Sequence, residues 1–273
     1  IPLGISSLEV WVPAPREADH QRVEDISKES SWPYSVTFDK KHRNKIVYYD
    51  IKNPKKSEIR ITRRYRLELS EYSNQPTGAL RKKESSYKSE IEKYLQPNRL
   101  VTISPRIKAL AREVTEGYHT DSEKARAIYD YVFTNLIYDK ETPGWGRGDT
   151  ERACDVKRGN CTDFHSLYIS LSRASGIPAR FKIGVNLPEG KNKLFRSYHC
   201  WAEFYALGYG WVPVDISEAW KDRSKYEYHF GTLDQNRIEF SQGRDIILAP
   251  SQAGEPLNYF IFPYVEANDK SAA

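Results

Sequence analysis

The sequence has no methionine, three cysteines, and no apolar run approaching the roughly 20 residues that a membrane-spanning helix needs. A helical membrane span is thereby excluded. A hydrophobic fraction of 39% likewise excludes a wholly disordered chain, and 15 glycines among 273 residues exclude a collagenous one. Cys154, Cys161 and Cys200 are an odd number for pairing and too few for a disulfide scaffold or a four-thiolate zinc site, so at least one free thiol is expected. The Gly-rich segment Pro143–Asp149 lacks both the terminal Lys-Ser/Thr and the preceding strand of a phosphate-binding loop, which argues against a nucleotide site. With Ile1 first and no Met, the expectation is that an initiator has been removed, and this leans towards export.

What is present is length enough for about two domains. The net charge of +5 arises in the first hundred residues. Part of it lies in Ile59–Leu69, where apolar and charged residues largely alternate as on a strand with one wet face. No groove-reading or RNA-binding motif accompanies that run, so a solvated sheet face is preferred to a nucleic-acid surface.

The alternation predicts strands at Leu8–Val12, Tyr34–Phe38, Lys45–Ile51 and Ile59–Leu69. Turns such as Asp39–Asn44 and Lys52–Lys56 join them into an antiparallel sheet or small sandwich. Residues 73–104, with Pro76, Gly78 and Pro97, read as a long connection holding one helical piece, which sets domains at 1–100 and 101–273. Thereafter the period becomes helical. Pro105 opens a helix with Ile107, Leu110, Ala111 and Val114 on one face, closed by Gly117. Thr120 and Glu123 form a capping box for a second, and a third runs from about Asn160 to Ser175 before Gly176 and Pro178. Strands return at Arg180–Val185, Tyr198–Ala206, Trp211–Asp215, Ile246–Leu248 and Tyr259–Val265. Helices followed by strands define an α+β domain.

Cys161 falls in the first turn of the third helix, where unpaired N–H groups and the helix dipole favour thiolate and can stabilise an oxyanion. A nucleophilic thiol needs a base, and His199 shares one strand face with Trp201, Glu203 and Tyr205, with Cys200 pointing to the opposite face. The next strand returns after the Leu207–Gly210 connection, which allows Asp215 to lie near His199 and orient it. From the residues alone, a buried packing cysteine and a nucleophile are both open readings.

The segments Arg158-Gly-Asn-Cys-Thr-Asp-Phe-His165, Ala174-Ser-Gly-Ile-Pro-Ala-Arg180, His199-Cys-Trp-Ala-Glu203 and Trp211-Val-Pro-Val-Asp215 resemble, in order, the transglutaminase-like core over about residues 105 to 250. That resemblance implies a papain-like α+β fold preceded by an antiparallel β domain, as in many prokaryotic members described as cysteine proteases. It implies Cys161 as nucleophile, His199 as general base and acid, and Asp215 as the orienting carboxylate. The family's animal crosslinking enzymes depend on calcium. No loop here has regularly spaced acidic residues ending in Glu, so neither a metal nor any other cofactor is expected.

Other residues admit plainer readings. His165 packs or bonds locally, since further metal ligands are missing. Trp145 either lines an acyl pocket or oxyanion site or covers a core edge, and Asn160 and Trp201 are candidates for the same pocket. Arg180 and Glu203 fit as strand-orienting partners, and Asp163 as a cap whose charge opposes a thiolate. The expected chemistry is thiol-dependent acyl transfer on a protein or peptide amide. Hydrolysis is favoured. Transglutaminase crosslinking or deamidation, an arylamine-type acetyltransferase, and a non-catalytic peptide- or glycan-binding protein are the alternatives.

Overall fold

The computed structural model describes residues 5–27, 32–54, 58–76, 88–187 and 197–269. Gly78 and the end of the Lys52–Lys56 turn lie outside the described residues.

The first part carries β1 (Ile5–Pro13), β2 (Gln21–Asp25), β3 (Ser35–Phe38), β4 (Lys45–Lys52), β5 (Tyr65–Leu69) and β6 (Tyr72–Ser73). Alternation along β1 sends Leu8 and Val10 to a cluster with Ala14, Val47, Tyr49 and Ile51. Trp11, on the other face, packs with Ile46, Ile246, Leu248 and Phe260. The sheet that results has the order β14-β1-β4-β3, where β14 (Tyr264–Asp269) comes from the far end of the chain.

The Ile59–Leu69 run departs from expectation. Only Tyr65–Leu69 is strand, and it pairs with β2, from Gln21 opposite Leu69 to Asp25 opposite Tyr65, instead of joining the larger sheet. β2 escaped notice because Val23 is its single apolar residue, which leaves no alternation to read. Ile59 and Ile61 instead pack against the Leu8–Val10 cluster without a ladder.

After the one-turn α1 (Ser89–Glu92) come α2 (Pro105–Val114) and α3 (Asp121–Asn135). Ser104 caps α2 by accepting from the Ile107 N–H at 3.2 Å, and Thr120 with Glu123 forms the capping box of α3. β7 (Ile137–Tyr138), α4 (Thr150–Val156) and β8 (Arg158–Gly159) lead to α5 (Cys161–Ala174). α4 was hidden by its shortness: two turns, started by Asp149 accepting from the Arg152 N–H.

α5 is the hub, with every residue from Cys161 to Arg173 buried. A helix enclosed on all sides cannot show a clean stripe, and small Ser166, Ser170 and Ser172 let its neighbours approach. α2, α3 and α4 touch α5, as does the antiparallel sheet of β9 (Ala179–Asn186), β10 (His199–Ala206), β11 (Gly210–Val214) and β13 (Arg237–Gln242), ordered β11-β10-β9-β13. Between β11 and β13 lie α6 (Ile216–Lys221) and β12 (Thr232–Leu233), and β12 pairs with β6. Cys200, Ala202, Phe204, Phe181 and Ile183 belong to the core around α5. The opposite sheet face carries Trp201, Glu203, Arg180, Lys182 and Glu239. Gly184, opposite His199, is required there: a Cβ would stand 1.7 Å from the Ile238 carbonyl oxygen where β13 bulges against β9.

Two tail assignments change. Ile246–Leu248 forms a single bridge, Ile246 with Leu257, and the last strand begins at Tyr264, not Tyr259. No helix among the described residues is long and apolar enough to cross a membrane.

Candidate active site

The site is built on the start of α5. Asn160 breaks from helical geometry (φ −95°, ψ −167°), and its Oδ1 accepts from the Thr162 N–H at 2.9 Å. Asp163 completes the box by accepting from the Asn160 N–H at 3.0 Å. The same carboxylate accepts from the Gly146 and Gly148 N–H groups at 2.7 and 3.0 Å, which ties the Gly-rich loop to the helix start. Gly148 (φ +63°) has no room for a side chain, since a Cβ would lie 2.3 Å from Ser166 Oγ. Asp163 is thus a buried anchor for three backbone donors, and burial raises its pKa against the pull of those donors.

Cys161 is 2% exposed. As first residue of α5, its N–H has no intrahelical acceptor, which makes it a candidate oxyanion donor. The Cys200 thiol and the His199 imidazole are the neighbours that act most strongly on its thiol. The Cys200 bond lowers the Cys161 pKa, burial opposes it, and the bond and charge of His199 carry it well below the ordinary thiol value.

His199 Nε2 lies 2.6 Å from Asp215 Oδ2, which leaves Nδ1 as the nitrogen facing Cys161. Burial alone would pull the imidazolium pKa down. The charge and hydrogen bond of Asp215, with the bond to Cys161, reverse this and raise it to about 9. Glu218 Oε1 stands 3.7 Å from His199 Nδ1, but Lys221 Nζ holds that oxygen at 2.6 Å.

Asp215, fully buried, caps α6. Its Oδ1 accepts from Ser217 Oγ at 2.9 Å and the Glu218 N–H at 3.0 Å. Its Oδ2 accepts from His199 and from Arg237 Nη1, and Arg237 Nε reaches Asp234 Oδ2 at 3.0 Å. Burial penalises the Asp215 charge, and Arg237 followed by His199 nevertheless holds its pKa well below the carboxylate range.

His165 is fully buried and accepts from the Ile216 N–H through Nε2 at 3.1 Å, with Nδ1 3.8 Å from Cys200 Sγ. Burial pushes its pKa to about 4, so the ring is neutral and its 3.6 Å approach to Asp215 is no ion pair. Trp201 lies beside His199 in near-parallel stacking, centroids 6.5 Å apart, with the Arg237 guanidinium 5.8 Å from its ring. Asn160 spends its amide donor on Tyr198 Oη at 3.1 Å, and Trp145 is exposed on the loop. Glu203 pairs with Arg180 at 2.5 Å, and Arg180 covers Trp211 at 3.9 Å. Among the described residues, no group of three or more His, Cys, Asp or Glu side chains is placed to hold a metal ion.

The structure thus brings Cys161, His199 and Asp215 together. Sequence reasoning missed two members of the cluster. Cys200 does point away from Trp201, but that direction is the α5 face, where Cys161 lies; its alternation with Ala202 and Phe204 was the available signal. Arg237 had no signal, because β13 buries charged residues and so lacks an apolar rhythm.

A helix with a first-turn cysteine, packed on an antiparallel sheet bearing a histidine, and preceded by a strand-rich region, defines a papain-like α+β protein. Residues 108–216 match the model of the transglutaminase-like superfamily. An uncharacterized protein of Haemophilus influenzae is 27% identical over 296 residues, covering 94% of this chain and 80% of its own length. Uncharacterized protein YebA of Bacillus subtilis is 27% identical over 140 residues, 46% of this chain and 19% of its own. In fold, a candidate cysteine protease of Cytophaga hutchinsonii aligns with a TM-score of 0.61 at 16% identity, over 97% of this chain and 82% of that one.

These electrostatics make a direct prediction. Iodoacetamide should label Cys161 at pH values well below the ordinary thiol pKa of about 8.5. Cys154, whose pKa burial raises to about 11, and Cys200, raised by burial and by Cys161, should stay unlabelled. His199→Ala should move Cys161 labelling to higher pH. Equal, slow labelling of all three cysteines, read by peptide mass spectrometry, would count against an activated thiol.

Proposed function

We propose that the chain catalyses thiol-dependent acyl transfer from a peptide or protein amide to water, as a cysteine peptidase or amidase. The observation that carries this reading is the buried contact of Cys161 with His199, whose other ring nitrogen sits 2.6 Å from Asp215. Cys161 thiolate attacks the amide carbonyl, and the Cys161 N–H bonds the oxygen as it gains charge. His199, protonated at Nδ1, gives that proton to the leaving amine and then takes one from the water that opens the thioester. Asp215 holds the ring and stabilises its cationic form. Hydrolysis also agrees with the description of the Cytophaga hutchinsonii protein, whose fold this chain shares.

The test is product mass. A mixed peptide library incubated with the protein and a fluorescent primary amine should yield cleaved peptides or free acids, with turnover lost in Cys161→Ala. Incorporation of the amine with release of ammonia would replace hydrolysis by transamidation. Turnover that survives Cys161→Ala would remove Cys161 from the reaction.

A further inference from the structure

The placement of Cys200 against the opening turns of α5 is not required by acyl transfer. Cys200 Sγ lies 3.7 Å from Thr162 Oγ1 and 3.8 Å from His165 Nδ1, both on the opening turns of α5. Thr162 and His165 stand one and four residues after Cys161, so the Cys200 sulfur faces the turn that carries the Cys161 thiol, and each thiol shifts the other's pKa. Both thiols are free and buried, at 2% and 0% exposure, and Cys154 shares neither contact. A second thiol held against an activated one is the arrangement in which a sulfenic acid is trapped as a disulfide before further oxidation.

We infer that Cys161 and Cys200 form a peroxide-reactive modification site, in which Cys161 is oxidised to a sulfenic acid and Cys200 resolves it to a reversible intramolecular disulfide. The inference rests on Cys161 being the activated thiol of the proposed reaction. In the first step Cys161 thiolate attacks one oxygen of a hydroperoxide. A sulfur–oxygen bond forms as the oxygen–oxygen bond breaks, the sulfur is oxidised, the peroxide is reduced, and the departing alkoxide or hydroxide takes the His199 proton. In the second, Cys200 sulfur attacks Cys161 sulfur, a sulfur–sulfur bond forms as the sulfur–oxygen bond breaks, and the sulfenic hydroxyl leaves as water with the proton that Cys200 gives up. The disulfide ties up the sulfur that would attack an amide, and a thiol reductant restores both thiols by exchange.

Hydrogen peroxide titrated against the full chain tests this, read by iodoacetamide labelling and by mass spectrometry of digests. Expected is a loss of Cys161 labelling, a Cys161–Cys200 linked peptide, a chain lighter by two hydrogen atoms, and full recovery with dithiothreitol. Cys200→Ser keeps a hydrogen-bond donor beside Cys161 but no resolving sulfur. In that variant Cys161 should pass to sulfinic and sulfonic acids that dithiothreitol does not reverse, while circular dichroism reports whether it folds. Irreversible oxidation of Cys161 at the same rate in both proteins, with no linked peptide, would overturn the inference. Neither readout needs a substrate. A linked peptide without amide turnover would sink the proposed function alone, and turnover without a linked peptide would sink this site alone.

Discussion

Asp215→Asn is expected to lower amide turnover by about 10⁴, the loss that follows when a buried triad carboxylate becomes an amide of the same shape. The cause lies in charge. His199 titrates at about 9 because Asp215 outweighs burial, and the uncharged amide removes that support. A folded pKa raised above the usual 6.5 means that the imidazolium is fully present below 6.5 and is lost as pH rises through about 9. In Asp215→Asn the loss should move to lower pH, taking the partner of the Cys161 thiolate with it.

Arg237 supplies the control that separates this from a general loss of structure. It bonds the same Asp215 oxygen as His199, is 1% exposed, and lowers the His199 pKa by its own charge. Asp215→Asn and Arg237→Met each leave a buried ion pair broken, at a cost of about 3–5 kcal/mol. Their effects on His199 are opposite: Arg237→Met leaves Asp215 uncompensated and should extend the imidazolium to higher pH. The pH dependence of Cys161 alkylation, with a histidine nuclear magnetic resonance titration, checks both. Shifts in the same direction would mean that folding, not charge, governs the site.

How much of this was legible in the sequence depends on whether a residue follows a rhythm or breaks one. Leu8, Val10 and Val12 alternating with Glu9 and Trp11, Pro105 at a first helical position, and Thr120 with Glu123 announce a strand and two helix starts through alternation and end signals. β13 announces nothing: Arg237 and Glu239 are buried by partners from far away in sequence, and a strand filled with paired charges lacks the alternation of a half-wet sheet. The fourth strand of the N-terminal sheet comes from residues 264–269, and the ladder it makes with β1 follows from tertiary topology, which no local pattern encodes. At the site, the motif order placed Cys161, His199 and Asp215. Asp163 was read as a threat to the thiolate because the loop that its carboxylate holds lies 15 to 17 residues upstream.

That loop anchor gives the second large effect. Asp163→Ala should destabilise the protein by about 3–6 kcal/mol, because three buried N–H donors, of Gly146, Gly148 and Asn160, lose their acceptor and each unsatisfied donor costs about 1–3 kcal/mol before the loop relaxes. In a chain of this length that corresponds to a fall in melting temperature of roughly 10 °C or more. Asp163→Asn should fall between, since its amide retains one acceptor oxygen and turns a donor towards the other site. The loss should reach the reaction centre as well. With the Asn160 cap half dismantled and the Gly-rich loop released, the first turn of α5 frays, and the Cys161 N–H no longer holds its direction towards a developing oxyanion. Amide turnover should therefore drop more in Asp163→Ala than Cys161 alkylation does, because alkylation needs the thiolate but no oxyanion donor. Differential scanning calorimetry gives the first quantity, and the ratio of turnover to alkylation rate gives the second. A melting temperature within about 2 °C of the parent would show that solvent satisfies all three donors, and that Asp163 does not anchor the loop.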